Sequence, residues 1–306
     1  DGSVTINSKT FVTRDNSGES TATELIVIPV AEEFDVDIDL NMTRSNSNKI
    51  KELYNHTDYI TGSLRTYREG KSYYEWYTYH FEGVDQMTGR SLYTIDPAKA
   101  ESAANAGALV TINDKDYTTS TTYAIKKAAG KANPTVYGGF HTDFSWKDLS
   151  VNLLFTYGLG GKVYDGSYQE LMSVNSAASA SAMHKDVLKS WTGAPEGMTE
   201  TSANRINSNG TPILDFTYSS DNNATSDRWL TDASYLVFKN INISYALPKI
   251  VANTLGIGGI KVNAGVENLF TLTSRKGLNP QYSFSGGYDD TYVTPRVFNF
   301  GISLQF

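Results

Sequence analysis

Acid–base chemistry in this 306-residue chain would have to use four histidines, His56, His80, His141 and His184. His141 and Asp143 stand two apart in an alternating stretch, so both point to one face of a strand and pair a base with a carboxylate. A polar wall along one side of a sheet produces the same pair with no reaction attached. His56 and Asp58 make a second His–Asp combination in a loop, with neither a nucleophile nor paired acids to complete a site. Asp221-Asn222-Asn223 and Asp289-Asp290 offer oxygens to a hard cation, but no closing Glu follows at EF-hand spacing, and solvated loop acids are the simpler reading. No P-loop, GxSxG or HExxH pattern occurs. Gly158-Leu159-Gly160-Gly161 ends a strand without opening a helix, so it does not cradle phosphate. The chain has no cysteine, which removes thiol catalysis, disulfides and Cys-based zinc sites together. These residues predict no enzyme, no cofactor and no metal.

Composition points elsewhere. The net charge is −7 and the isoelectric point near 5.2, against nucleic-acid binding, which needs clustered Lys and Arg. No apolar run is long enough for a transmembrane helix. The chain opens on Asp1 without a charged-then-apolar leader, as expected of something processed or cut from a longer protein. Aromatic residues make up 12% of a chain that is only 40% hydrophobic, and Tyr is the commonest of them. Aromatic enrichment with strict alternation is a membrane-barrel signature, because rings settle at the two water–lipid interfaces. A Tyr-rich soluble β-sandwich has the same composition.

The elements that would carry these residues are strands. From Phe34 to Thr43 every even position is apolar and every odd one polar: Phe34, Val36, Ile38, Leu40 and Met42 against Asp35, Asp37, Asp39 and Asn41. Val151, Leu153, Phe155, Tyr157 and Leu159 repeat the pattern, as do Phe298, Phe300, Ile302, Leu304 and Phe306. Ten strands are predicted, at roughly 3–13, 22–30, 33–45, 60–68, 72–82, 135–146, 149–161, 234–247, 260–273 and 293–306. Their connections alternate. Ala31-Glu32, Glu69-Gly70-Lys71, Lys147-Asp148 and Pro248–Gly259 are short, whereas 14–21, 46–59, 83–134, 162–233 and 274–292 are long. Sorting short turns to one end and long loops to the other marks an outer-membrane barrel. The predicted class is therefore all-β, an antiparallel transmembrane β-barrel with long extracellular loops.

The longest loop, 162–233, exceeds any ordinary connection and is expected to fold into a cap or lid, with a short amphipathic helix at Met183–Trp191. In the strand starting near Ser234, Ile241, Ile243, Tyr245 and Leu247 define the lipid face. Unbroken alternation would place Lys239 beside lipid and turn Leu236 and Phe238 inward. One extra residue at Lys239-Asn240 repairs both faults, so a β-bulge is predicted there.

Several stretches resemble the SusC-like (SusC/RagA) TonB-dependent outer-membrane transporters. They are FEGVDQMTGRSLY at 81–93, NPTVYGGFHTDFSWKDLSVNLLFTYGLGGKVYD at 133–165, HKDVLKSWT at 184–192, LVFKNINISYALP at 236–248, GVENLFT at 265–271, GLNP at 277–280 and PRVFNFGISLQF at 295–306. Each is weak alone, but their order and spacing are those of the family's C-terminal part. The resemblance implies that residues 1–306 are about ten strands of a barrel of about 22 strands, with the plug domain and signal peptide absent. It implies import of an oligosaccharide or peptide fragment across the outer membrane. The implied partners are a SusD-like surface lipoprotein and, through missing N-terminal parts, the TonB energy-transducing complex.

For cargo, aromatic faces in the longest loop are the candidates, Tyr164, Tyr168 and Trp229, with Trp191 read as the loop's own core. Phe306, a terminal aromatic on a final amphipathic strand, is by the same resemblance the barrel-assembly end. Two other readings stay open from the sequence. One is a self-contained ten-stranded barrel protease of the omptin kind, for which no catalytic set can be assembled. The other is a soluble β-sandwich used for binding.

Overall fold

A computed structural model describes residues 10–14, 20–24, 34–44, 48–61, 64–173, 182–275, 277–282, 287–288 and 294–306. Its largest sheet is a six-stranded antiparallel meander in chain order. The strands are β1 (Phe34–Arg44), β2 (Val136–Trp146), β3 (Leu149–Leu159), β4 (Tyr235–Ala246), β5 (Gly259–Thr273) and β6 (Val297–Gln305). All six fall on predicted strands. Lengths of 9 to 15 residues suit a tilted membrane strand better than an ordinary soluble one.

The two faces of this sheet differ as the alternation requires. Leu40, Phe140, Phe155, Phe238 and Phe270 form one row across five strands. The Phe155 and Phe238 rings are stacked with centroids 4.3 Å apart, and Phe270 meets Phe238 edge-on at 5.5 Å. Most of this face is uncovered: Met42, Trp146, Leu159, Ile243, Leu272, Phe298 and Ile302 are all exposed. A contiguous apolar face of this extent is what a lipid-contacting surface presents. The opposite face carries Asp37, Asp39, His141, Asp143, Asn152, Asn240, Asn242 and Asn263. No described helix is long and apolar enough to cross a membrane.

Glycines let neighbours into this sheet at defined points. A Cβ on Gly138 would overlap the Asn41 carbonyl oxygen, and the Tyr157 ring lies over this gap with its hydroxyl donating to that oxygen at 3.0 Å. Gly158 is overlaid in the same way by Tyr235. Tyr-Gly-Gly in β2 and Tyr-Gly in β3 thus serve close cross-strand packing.

The predicted break in β4 is present. Phe155 pairs with Phe238 but Leu154 pairs with Asn240, so Lys239 and Asn240 together oppose one residue of β3. Both residues fall between the apolar-face positions Phe238 and Ile241. The irregularity continues into β5, where Phe238 pairs with Phe270 and Asn240 with Glu267. There Asn268 adopts φ 53°, a left-handed conformation that Asn tolerates better than most residues, and its amide donates to the Pro295 carbonyl at 3.3 Å. The two-strand bulge explains the Asn of Gly-Val-Glu-Asn-Leu-Phe-Thr.

Two predicted barrel strands lie elsewhere. Residues 60–68 and 72–82 fold into Tyr59–Thr61, Arg65–Tyr67 and Glu75–Tyr79, which form a separate four-stranded sheet with Lys126–Lys131. Their alternation is that of a half-buried sheet in the cap, with Thr66, Trp76 and Thr78 buried. The chain therefore leaves the large sheet at Arg44 and returns at Val136. Removing a pair of strands keeps the parity, so 45–135, 160–234 and 274–296 leave from one end and the connections 147–148 and 247–258 lie at the other. Of the first two predicted strands, a Thr10–Arg14/Ser20–Glu24 hairpin is described; the Ala31-Glu32 turn lies outside the described residues.

If Lys239 is off the apolar face, replacing it by Leu gains no stability from lipid contact. Phe238→Lys, on that face, is expected to cost about 2–4 kcal/mol in a bilayer. Denaturant unfolding of the full-length protein in lipid vesicles checks both, and a Lys239→Leu gain of that size would place Lys239 against lipid.

Candidate functional site

The two longest excursions, 45–135 and 160–234, fold together over one end of the sheet. Their main lock is built from the Gly-Val-Asp-x-x-Thr-Gly stretch. Asp85 is fully buried at the end of the strand Phe81–Asp85. Its carboxylate accepts from the Met87 N–H at 3.0 Å and the Thr88 hydroxyl at 2.9 Å, and from Arg205 Nε at 2.9 Å and Nη2 at 3.2 Å. Gly89, at φ 72°, closes the turn by donating to the Asp85 carbonyl at 2.7 Å. Trp191 packs on Gly89, where any Cβ would overlap its ring, and donates Nε1–H to the Gln86 carbonyl at 2.9 Å. Burial raises the Asp85 carboxyl pKa, but the Arg205 hydrogen bonds, the Met87 N–H and the Thr88 hydroxyl outweigh it, and the net shift is downward.

The cap also holds an aromatic centre. Trp76, Ala132, Tyr164, Met172, Val187 and Trp229 form a buried cluster, with Tyr168 packed against it. The polar tips are satisfied inside it: Trp76 Nε1–H donates to the Lys162 carbonyl at 2.8 Å, Trp229 Nε1–H to the Ala224 carbonyl at 3.0 Å, and the Tyr164 hydroxyl to Gln169. Tyr168 is half-buried and touches the most groups. Its ring meets Trp229 and His184 edge-on at 5.8 and 4.9 Å, Arg275 lies 4.2 Å over it, and its hydroxyl donates to Asp186 at 3.0 Å. Burial, with the Asp186 carboxylate as acceptor, pushes the Tyr168 phenol up to about 12. Asp165, buried, caps the short helix Gly166–Leu171 through the Tyr168 N–H and is paired with Arg275.

Of the sequence candidates, Tyr164 and Trp229 are therefore core rings, 8% and 2% exposed, and Tyr168 alone of the three keeps an open edge. Trp191 is packing, as expected. The predicted amphipathic helix is shorter and tighter, a 3₁₀ turn at Lys185–Lys189 capped by the His184 ring. His141 lies 3.6 Å from Asp143 and 3.9 Å from Asp39, on the polar face of the sheet, and Asn152 donates to Asp143. His56 pairs with Glu69 at 2.9 Å rather than with Asp58, and His80 pairs with Asp227. Among the described residues no cluster of three or more His, Cys, Asp or Glu has the arrangement of a metal site. Asp221 and Asn222 are used structurally: the Asp221 and Asn222 carbonyls accept from Tyr93 and Ser91, and the Asn222 side chain accepts from the Ser91 N–H. Asp289-Asp290 lies outside the described residues.

The sequence reading missed Arg205 and Arg228. Arg205 stands far along the chain from its carboxylate, and only the Asp-x-x-Thr-Gly turn, which presents a buried acid in need of a partner, signals it. Arg228 lies 5.1 Å over Phe81 and 4.5 Å over Trp229.

No family model matches the chain. Among curated proteins it is 25% identical over 281 residues to TonB-dependent receptor P3 of Formosa agariphila, covering 85% of this chain and 26% of that protein. TonB-dependent receptor P39 of the same organism is 22% identical over 176 residues, covering 55% of this chain and 16% of that one. Among solved structures, the RagAB peptide transporter matches at a TM-score of 0.66 and 21% identity, over 91% of this chain and 28% of that chain. The RagAB peptide importer in its open-open state matches at 0.64 and 19%, over 98% and 31%. The chain thus resembles the TonB-dependent receptors, spans about a quarter of the length of the first of them, and has the all-β fold of part of a transporter barrel with its cap.

Asp85→Asn leaves Arg205 buried without its counter-ion, at a cost of about 3–5 kcal/mol. The Asp85 pKa is lowered by folding. The pair's contribution is therefore complete above the unfolded carboxylate value of about 4 and is lost as pH falls through the folded one. Limited proteolysis of the full-length protein across pH should show cap cleavage rising in acid for the wild type. For Asp85→Asn it should be raised already at neutral pH and lack that acid-dependent step.

Proposed function

We propose that this chain is the C-terminal barrel and cap segment of a SusC-like, TonB-dependent import receptor in the outer membrane. The observation that carries this reading is the pairing of an uncovered apolar sheet face with excursions sorted to one end and locked into a single cap. Its likeness to TonB-dependent receptors supports it. The cap end faces outward, where a SusD-like lipoprotein closes over it, and the TonB complex supplies energy through N-terminal parts of the protein outside these residues. Cargo is a peptide or glycan fragment; the peptide class is favoured by the solved transporter that this fold resembles. A protease of the omptin kind is disfavoured, since among the described residues no His–carboxylate pair stands beside a second acid pair at a rim.

Within the cap, Tyr168 contacts cargo through its open edge, and Tyr164 and Trp229 take part by fixing its position. Phe306, exposed at the end of β6 with Phe298 and Phe300, serves as the assembly end.

In the full-length receptor, Tyr168→Ala is expected to lower uptake of a fluorescent peptide mixture several-fold at unchanged surface level. Tyr164→Ala or Trp229→Ala should lower surface level as well, since truncating a buried ring costs about 3–5 kcal/mol. Unchanged uptake in Tyr168→Ala at equal surface level removes Tyr168 from the path. Unchanged uptake after loss of the proton-motive force sinks the receptor reading.

Deleting Phe306 is expected to reduce outer-membrane insertion, read as heat-modifiable gel migration, more than Phe300→Leu does. Equal insertion of the two variants counts against the assembly role.

A further inference from the structure

Arg228 differs from four other arginines of the cap, each of which meets a carboxylate. Arg68 closes on Glu75 at 2.6 Å, Arg205 on Asp85, Arg90 reaches Asp221 at 3.9 Å and Arg275 pairs with Asp165. Among the described residues no carboxylate lies within ion-pair distance of Arg228. Among the described residues its one hydrogen bond is from Nη1 to the Asn222 carbonyl at 3.2 Å, and it lies over the Phe81 and Trp229 rings. The phenols of Tyr93 and Tyr168, both pushed up by burial, act on it, and the guanidinium's own desolvation lowers its proton affinity. A guanidinium has five N–H donors in a fixed fork, so most of its capacity is unspent.

Arg228 also lines an open cavity of about 20 Å³ with Met172, Thr211, Pro212, Leu214 and Asn223. By volume this admits one small polar group or one to two waters, and no more. Asp215 is on the same wall, but its carboxylate is engaged by the Thr217 N–H at 2.7 Å and caps the turn Phe216–Tyr218. An arginine packed against two rings, desolvated, and lining a small opening has the unspent donors to take a carboxylate.

We infer that Arg228 forms a carboxylate subsite, which receives an acidic group of the cargo. This rests on the import reading for its biological use, and it makes the cargo anionic: a peptide with a free terminal or side-chain carboxylate, or a uronate-bearing glycan. The neighbouring Trp229 ring, 4.5 Å from the guanidinium, gives the site its own optical reporter.

The test titrates acetate, with acetamide as uncharged isostere, into the purified full-length receptor at constant ionic strength, following tryptophan fluorescence. Acetate should give a saturable change that acetamide does not. Trp229→Phe should remove most of the signal. Arg228→Gln should abolish saturation, and Arg228→Lys, which keeps the charge without the fork, should weaken binding at least several-fold. Circular dichroism and heat-modifiable migration establish that each variant is folded. If Arg228→Gln does not fold, wild type against Arg228→Lys decides alone, and equal acetate affinity in those two overturns the subsite. An equal response to acetamide, or no saturable response to acetate, overturns it as well, the cavity then holding water only. The readout needs no uptake, so a receptor that binds acetate here yet imports nothing separates failure of the import reading from failure of the site.

Discussion

Lipid offers no hydrogen-bond partner to a backbone, and every other feature of this chain answers to that. A strand in hydrocarbon must pair on both edges and present apolar side chains on one face only. The six-stranded meander meets the second demand along most of its length, with Leu154 and Val237 as apolar residues on the polar face, and its pairings run almost unbroken from β1 to β6. Where the sequence inserts a cation, at Lys239, it does not interrupt the apolar face. The backbone takes up one residue more in β4, and β5 answers with Asn268 in a left-handed conformation. The face is conserved across the irregularity because Phe238 stays in register with both Phe155 and Phe270. A bulge here is the means by which an apolar row and a charged residue share one strand.

A sheet so constrained cannot vary in its membrane part, so variety is pushed into the excursions. These must make their own core, because the sheet's apolar face is turned away from them. They do so with few long elements, and long-range locks replace helices. Asp85 with Arg205, Trp191 on Gly89, and Trp76 donating to the Lys162 carbonyl each join 45–135 to 160–234. The larger buried cluster is therefore a product of the two excursions jointly, while Leu92, Ile112 and Tyr117 form a smaller one within 45–135. Arg228, over Phe81 of one excursion and Trp229 of the other, is set by both.

Legibility followed the range of the interactions. Period-two alternation is local, and the six barrel strands were readable from it to within a residue or two at most ends, as was the bulge, which is a local fault in the same pattern. The strands at 60–68 and 72–82 show why alternation stops there: a cap sheet with one buried face carries the same period, and nothing within those residues states whether lipid or protein covers it. Trp76, buried and donating to a carbonyl far along the chain, is the distinguishing residue, and its partner is visible only in three dimensions. The same limit hid Arg205 and Arg228. His56 shows the converse error, since proximity in sequence pointed to Asp58 while the fold brings Glu69.

The aromatic residues divide between the two environments by the needs of a hydroxyl. Phe34, Phe140, Phe144, Phe155, Phe238, Phe270, Phe298 and Phe300 all lie in the large sheet, where a ring can be buried in hydrocarbon without a polar atom to satisfy. Tyr93, Tyr164 and Tyr168 lie in the cap, where Asp221, Gln169 and Asp186 accept from their hydroxyls. The tyrosines that remain in the sheet sit toward its ends, Tyr137, Tyr157 and Tyr235 near the cap and Tyr245 near the short turns. A phenol in mid-membrane would be left without a partner, whereas at either interface it meets water or a neighbouring backbone, as Tyr157 does at Asn41. The spacing between the Tyr245 level and the Tyr157 level therefore marks the depth of the apolar slab, and Lys239, lying between them, is turned off its apolar face by the bulge.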